Sequence, residues 1–255
     1  MSPRPIPILM YHAVESAVRP DKYKHFYVTA KEFARQLKEL KSRGFEAITL
    51  DQLVAGRAGG PLPAKPIVLT FDDGYQNVLS NAHPMLTEVG WPYTIYLVSE
   101  RIGSRNTWVE PEGYEATALL SESEISQLAA SPLVTFGTHT ATHPKLDQLP
   151  SDTAREEIVR GKQQLEEKLQ RPVHHFCYPY GHFNDSVVAL VREAGFVTAT
   201  TTQHGRVLAT GENLLCLPRV SIYHVPPFSL TYGPGALNFR WRVENRKDKR
   251  PFRGE

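Results

Sequence analysis

Two adjacent carboxylates at the end of a predicted strand are the first residues of this sequence that could do chemistry. Residues 70–75, Thr-Phe-Asp-Asp-Gly-Tyr, place Asp72 and Asp73 directly after a short apolar run at residues 66–69. Such a run is typical of a buried strand, and sites in barrels and open α/β sheets form at the carboxyl ends of strands. Because an isolated Asp-Asp-Gly is more often an ordinary turn, the interpretation depends on a second motif.

Two histidines supply that second motif. Residues 137–144, Gly-Thr-His-Thr-Ala-Thr-His-Pro, follow the apolar run at residues 133–136 and contain His139 and His143. Their spacing predicts that both lie on one face of a helical turn, which ends before Pro144. A strand-end carboxylate with two imidazoles is a three-ligand set for a metal ion with an open position. Together the two motifs favour a metal site over a simple turn.

The composition is that of an ordinary soluble globular protein, with 41% hydrophobic residues, 22% charged residues and a net charge of +2 over 255 residues. This net charge alone argues neither for nor against an anionic partner, and we predict no nucleic-acid partner. Cys177 and Cys216 are too few for a disulfide framework, so we expect two reduced, buried thiols. No signal-peptide pattern opens the sequence, and no run reaches the about 18 apolar residues of a membrane span. We therefore expect a cytoplasmic protein.

Alternating strands and helices must position these motifs. The capping boxes Thr29-x-x-Glu32 and Ser121-x-x-Glu124 mark the starts of two helices, and Pro84 is expected to break or reset a third. The predicted strands are short apolar runs, at residues 6–10, 45–50, 66–69, 93–98, 133–136, 173–178, 196–200 and 215–221. This alternation implies a parallel sheet with right-handed crossovers. Seven or eight such units predict an α/β protein built as a single TIM-like (β/α) barrel.

Three motifs in order resemble those of the polysaccharide deacetylases of the NodB-homology type, carbohydrate esterase family 4. The Asp-Asp motif and the His-Thr-x-x-His motif match without a departure, and residues 176–181, Phe-Cys-Tyr-Pro-Tyr-Gly, match the third motif in part. The resemblance runs from about residue 6 to about residue 219. It implies a distorted barrel, most simply seven-stranded, that removes acetyl groups from N-acetylated sugars of a polysaccharide or a lipid-linked glycan precursor. It also implies a divalent metal, with Zn²⁺ expected first and Co²⁺, Mn²⁺, Ni²⁺ or Fe²⁺ as alternatives.

The same resemblance implies roles for particular residues. Asp73, His139 and His143 are the implied metal ligands, Asp72 is the general base, and the backbone N–H of Tyr180 donates to the oxyanion. These roles are physically consistent, because a divalent ion lowers the pKa of bound water towards neutrality. A nearby cation also keeps Asp72 ionised, as a general base must be.

The base lacks the partner that many relatives provide. Cys177 stands where many relatives carry an arginine that holds the base, and residues 201–205 lack an aspartate that many relatives use to orient the catalytic histidine. A branch of the family with a Tyr-Pro-Tyr-Gly motif carries Leu-Pro-Arg near its end, as at residues 217–219. We predict that Arg219 reaches across the barrel mouth to Asp72, since an arginine can clamp a carboxylate at two places.

Two further assignments stay open at this point. The general acid is either His12, which ends the first strand and is slightly preferred, or His224, because the first and last strands of a barrel are neighbours. Trp108, Tyr75 and Tyr180 are candidates for a rim on which a sugar stacks.

Two other functions compete with deacetylation. One is an amide hydrolase acting on a small cyclic ureide or imide, and the other is a non-catalytic barrel that binds glycans. Release of acetate rather than a ring-opened acid separates the first from a deacetylase. The intact pairs of aspartates and histidines argue against the second.

A basic segment follows the predicted barrel. We place the barrel domain at residues 1–235 and the tail at residues 236–255, where seven basic residues stand against three acidic ones. Charge runs are commonly solvated and disordered. The alternative is peripheral contact with the anionic inner face of a membrane, which suits a cytoplasmic enzyme with a lipid-linked substrate.

Overall fold

Seven parallel strands close into a barrel in the computed structural model, which describes residues 5–19, 26–208 and 213–224. The strands are, in chain order, β1 (Ile8–Tyr11), β2 (Ala13–Glu15), β3 (Tyr27–Thr29), β4 (Glu46–Ala47), β5 (Pro66–Phe71), β6 (Tyr93–Leu97), β7 (Val134–Thr138), β8 (His175–Cys177), β9 (Thr198–His204) and β10 (Leu217–Ser221). The α-helices are α1 (Ala30–Ser42), α2 (Leu50–Arg57), α3 (His83–Val89), α4 (Glu122–Ala129), α5 (Ser151–Leu169) and α6 (Asp185–Glu193).

The barrel closes because its first strand pairs on both sides. Around the barrel the order is β1, β10, β9, β8, β7, β6 and β5, and β5 pairs again with β1. Leu9 is in register with Val220 of β10 and with Leu69 of β5. Strand β4 pairs with the first residues of β5, while β2 and β3 form a separate parallel pair. The predicted seven-stranded (β/α) barrel is confirmed.

Local signals in the sequence fix where most helices begin. The capping boxes predicted at Thr29 and Ser121 are both present, each closed by the glutamate three residues later. The helix expected to be broken or reset at Pro84 is reset there, since a π-helical turn over Val78–Ala82 runs directly into α3 and Pro84 lies in the first turn of α3. Along α1, Phe33, Leu37 and Leu40 recur on one face and are buried against the barrel.

The strand predicted at residues 45–50 is wrong for most of its length. Only Glu46 and Ala47 pair as a strand, and α2 begins at Leu50. The cause is a third capping box, in which the Thr49 hydroxyl accepts from the Gln52 N–H while the Gln52 side chain accepts from the Thr49 N–H. This Thr-x-x-Gln signal was present in the sequence.

Several expectations about the whole chain can be set against the described residues. None of the helices in that part of the chain combines the length and the hydropathy that a membrane crossing requires. Both cysteines are free thiols; Cys177 is buried as expected, whereas Cys216 is only partly buried. The tail at residues 236–255 lies outside the described residues, so the domain boundary at 235 and the membrane contact stay predictions.

Candidate metal centre and active site

The chemistry-bearing side chains meet at the carboxyl ends of the barrel strands. Asp72 and Asp73 follow β5, His139 follows β7, and His12 follows β1. They line a cavity of about 360 Å³, together with residues that include Phe26, Trp108, Glu112, His143, Tyr178, Tyr180, Thr202 and Tyr223. Parallel strands bring their carboxyl ends to one edge, which is why residues separated by more than a hundred positions share one cavity.

Asp73, His139 and His143 converge as a candidate metal-binding triangle. The Asp73 Oδ1 atom lies 3.5 Å from His139 Nε2 and 3.3 Å from His143 Nε2, and all three side chains are buried. Two ligand atoms bound tetrahedrally to zinc at ordinary bond lengths are about 3.3 Å apart. The residues present therefore fit a divalent metal ion with three protein ligands.

The hydrogen bond of His139 favours this use of its ring. Its Nδ1 lies 2.7 Å from the backbone oxygen of Cys177. A carbonyl oxygen can only accept, so Nδ1 carries a proton and Nε2 is the nitrogen that could bind a metal ion once it is deprotonated. Metal-ligating histidines usually make such a bond with the nitrogen that does not bind the metal.

The helical turn predicted around the two histidines is wrong. Strand β7 ends at Thr138, and residues 139–143 form an irregular loop. Thr140 and His143 have positive φ angles of 68° and 73°, which a helix cannot contain. Asp73 has a φ of 70°, so two of the three predicted ligands adopt a backbone conformation that is uncommon outside glycine. Residue spacing alone cannot reveal these left-handed positions.

Electrostatics suit Asp73 and His143 to binding a cation, whereas His139 holds a proton that a bound cation would have to displace. Burial alone would raise the pKa of Asp73, yet hydrogen bonding to His143 and the nearby imidazoles hold it far below its usual value. Burial lowers the pKa of His143 to about 4, so its ring is neutral at pH 7. For His139 burial also opposes the charged form, but Cys177 and the two aspartates raise the pKa to about 9. A metal ion binding at His139 Nε2 must therefore displace a proton.

Arg219 makes the predicted contact with Asp72. Its Nη1 and Nη2 atoms each donate to one Asp72 carboxylate oxygen, at 2.7 Å in both cases. The remaining donors bond to Thr201 O, Thr70 Oγ1 and Cys177 Sγ, so all five N–H groups of a fully buried guanidinium are used. Burial would raise the pKa of Asp72, but Arg219 more than offsets this and the pKa lies below its usual value. The carboxylate is thus ionised and held in one orientation.

The structure separates the two candidates for the general acid. His12 lines the cavity, and its Nε2 lies 4.0 Å from Asp72 Oδ2. His224 instead donates from Nδ1 to Glu32, at 2.9 Å, and its ring stacks on Tyr27. The structure therefore does not bring His224 to the site, because Glu32 at the start of α1 holds it.

The predicted aromatic rim is correct in position for two of its three members. Trp108 stacks on His143 with ring centroids 4.4 Å apart, and the Tyr180 ring lies 4.6 Å from His143 on a tilted plane. Tyr75 is wrong as a rim residue, because it is fully buried and its hydroxyl accepts from Asn106 Nδ2. A tyrosine next to a motif can belong to the core, and local sequence does not distinguish a core tyrosine from one at the rim of the cavity.

The turn that contains Tyr180 has an unusual backbone conformation. Tyr180 has a positive φ of 57° between Pro179 and Gly181. The backbone bonds of this turn run from Gly181 N–H to Tyr178 O and from His182 N–H to Pro179 O. Neither uses the Tyr180 N–H. Sequence reasoning missed Glu112 and Tyr223, which also line the cavity. Glu112 ends a short 3-10 helix (Thr107–Glu112) and Tyr223 follows β10, so neither carries a periodic signal.

The fold and the site together define a hydrolase of the polysaccharide deacetylase type. The family model described as polysaccharide deacetylase matches residues 59–199, which is more than half of the chain. The chain therefore belongs to the polysaccharide deacetylase family, as the three motifs indicated.

Individual relatives agree with this assignment. The chain is 25% identical over 207 residues to the poly-beta-1,6-N-acetyl-D-glucosamine N-deacetylase of Staphylococcus epidermidis, covering 78% of this chain and 69% of that protein. It is similar to a polysaccharide deacetylase structure from Bacillus cereus, with 27% identity, a TM-score of 0.75 and coverage of 94% of this chain and 69% of that one. A Streptococcus pyogenes deacetylase solved with acetate shares the fold, at 24% identity and a TM-score of 0.76, covering 95% and 100% of the two chains.

Proposed function

We propose that this protein is a metal-dependent hydrolase that removes acetyl groups from N-acetylated amino sugars of a polysaccharide or lipid-linked glycan. The observation that carries the proposal is the triangle of Asp73, His139 and His143 beside an Asp72 carboxylate that Arg219 holds at two points. A relative named for acting on poly-beta-1,6-N-acetyl-D-glucosamine supports this class of substrate.

Residues of this chain account for the proton transfers of such a reaction. When bound by the triangle, a divalent ion supplies Lewis-acid chemistry, which acidifies water and polarises the acetamide carbonyl. Asp72 accepts a proton from the attacking water, and Arg219 prevents the carboxylate from turning away. The backbone N–H of Tyr180 donates to the acetyl oxygen as negative charge develops there.

The leaving nitrogen needs a proton, and we assign its delivery to His12. Burial lowers the pKa of His12, so the ring is neutral at pH 7 until a proton reaches it. Its Nε2 lies 4.0 Å from Asp72 Oδ2. The proton that Asp72 takes from the attacking water is therefore the one that we assign to His12. The products are acetate and a free amine on the sugar.

His12→Gln is therefore expected to lower kcat by about 10²-fold or more, because proton delivery to the leaving group is lost. Zinc content should stay unchanged, since His12 is not one of the proposed ligands. The matched control is His224→Gln, which alters a histidine outside the cavity. Normal turnover by His12→Gln, or loss in the control alone, would contradict the assignment.

Zinc is the proposed ion, because two imidazoles and one carboxylate match its preferred ligands. Substrate class is tested by incubating zinc-loaded protein with short N-acetylglucosamine oligomers and, separately, with a cyclic ureide. Proton NMR detects acetate in the first case and a ring-opened acid in the second. We expect acetate only, and ring opening without acetate would instead support the amide-hydrolase alternative.

We further propose that the basic tail at residues 236–255 holds the enzyme at the cytoplasmic face of an anionic membrane. Each basic residue near such a surface contributes about 1 kcal/mol of binding. Replacing Arg240, Arg242, Arg246 and Lys247 by glutamine should reduce co-sedimentation with phosphatidylserine vesicles but not with neutral vesicles. Equal sedimentation of the variant and the unmodified protein would contradict membrane binding by the tail and support a solvated tail.

A further inference from the structure

One glutamate on helix α5 receives three hydrogen bonds from the loop that carries both histidine ligands. The Thr142 N–H donates to Glu157 Oε2 and the Thr142 hydroxyl donates to Glu157 Oε1, each at 2.9 Å. The Ala141 N–H donates to the backbone oxygen of Glu157 at 3.2 Å. Thr142 and the Ala141 N–H thus bond to one residue of the 19-residue helix α5, while the carbonyl oxygens of Thr140 and Ala141 accept from the Ser99 and Glu100 N–H groups.

The same face of α5 lies unusually close to this loop. Gly161 follows Glu157 by four residues, so the two share one helix face. A Cβ at Gly161 would lie 2.7 Å from the carbonyl carbon of Thr140 and 2.9 Å from the nitrogen of Ala141. Glycine therefore permits a backbone contact that any larger residue would disrupt, and this contact keeps the Glu157 carboxylate within reach of Thr142.

The loop needs external support because its own backbone is strained. Thr140 and His143 have positive φ angles of 68° and 73°. Non-glycine residues hold such angles only where the surroundings impose them. The loop must keep this conformation for the Nε2 atoms of His139 and His143 to stay 3.5 and 3.3 Å from Asp73.

Glu157 is also a charged residue in a buried place. Only 6% of its surface is exposed, and its one cationic neighbour within the described residues is Arg160, at 3.3 Å. A buried carboxylate is costly unless its hydrogen bonds satisfy it, and the bonds that do so here come chiefly from the loop. The neighbouring Glu156 pairs with the same Arg160 but is exposed to solvent.

We infer that Glu157 is a positioning residue for the metal centre, which acts through Thr142 to hold the two histidines at ligand distance from Asp73. The inference rests on the proposed function, since it requires that a divalent ion binds to that triangle. Glu157 touches neither the reacting atoms nor the ion. Its effect should therefore appear in metal affinity.

The test is a zinc titration in competition with a chromophoric chelator, with the rate of zinc loss to excess chelator as a second readout. Outer partners of metal ligands typically change affinity by about 10–100-fold when removed. We expect Glu157→Ala to raise the zinc Kd by at least about tenfold and to accelerate zinc loss. Glu157→Gln, which retains one acceptor oxygen and the side-chain volume, should fall between the alanine variant and the unmodified protein. Glu156→Gln is the matched control and should change the Kd less than twofold.

A double variant distinguishes positioning from general stabilisation. If Glu157 acts through Thr142, the effects of Glu157→Gln and Thr142→Ala on zinc Kd should not add. Unchanged zinc affinity in the Glu157 variants, with only a lower melting temperature, would overturn the inference while leaving the proposed function intact. Failure of the unmodified protein to bind zinc, or unchanged zinc affinity in Asp73→Asn, would overturn both.

Discussion

Asp72→Asn is expected to lose about 10²–10⁴-fold in turnover while binding zinc as tightly as the unmodified protein, because only the general base is removed. Asp73→Asn is expected to lose zinc and activity together. The two substitutions are chemically identical and one residue apart, so their difference isolates the roles of the carboxylates. The geometry separates them as well: Asp73 faces both imidazoles, whereas Asp72 faces Arg219.

Zinc Kd and kcat measured on both variants check this prediction, and melting temperatures report whether each one folds. Excess zinc should restore part of the activity of Asp73→Asn, because the defect lies in affinity. It should restore none to Asp72→Asn. Equal loss of zinc by the two variants would show that the roles are assigned wrongly.

Arg219→Met is expected to reduce turnover by at least about tenfold and to lower the free energy of unfolding by about 3–5 kcal/mol, because the buried Asp72 carboxylate loses its partner. Burial disfavours the ionised carboxylate, and in this variant no arginine offsets that effect. The pKa of Asp72 should therefore rise. The acid limb of the pH profile of kcat/KM should consequently move to higher pH. This shift distinguishes a lost partner of the base from a general defect in folding.

Arg219→Lys should recover only part of the turnover. An ammonium group is a single point of charge and cannot donate to both carboxylate oxygens in the way that the guanidinium does. Unchanged turnover and an unchanged acid limb in Arg219→Met would contradict the proposed role of the arginine.

The barrel could be predicted from the sequence because its signals are local. Each strand is a short apolar run, and Thr29 and Ser121 start helices with hydrogen bonds inside a four-residue window. Residues 45–50 were predicted as a strand because the run is largely apolar. The capping box Thr49-x-x-Gln52 within the same segment favours the start of a helix instead. The two hydrogen bonds between Thr49 and Gln52 determine where this helix begins.

Motifs and predicted strand ends were enough to predict only part of the site. A metal site made of a strand-end carboxylate and two histidines follows from residue type and from the geometry of parallel strands, whereas the choice of Asp73 as the ligand came from the resemblance to the family. The left-handed backbone at Thr140 and the attachment of Thr142 to Glu157 depend on contacts with a helix that begins about ten residues later in the chain. The sequence left His224 open as an alternative to His12 for a similar reason, since its partner Glu32 lies near the other end of the chain.

Acetate release by the zinc-loaded protein tests the central claim most directly. Metal is removed with a chelator, zinc is restored, and acetate is measured enzymatically with short N-acetylglucosamine oligomers as substrate, while free amines are counted in parallel. We predict one amine for each acetate, no release by the chelated protein or by Asp73→Asn without added zinc, and recovery when zinc is restored. Acetate release that persists after complete metal removal, or its absence from the zinc-loaded protein with these oligomers and with longer N-acetylated glycans, would contradict it.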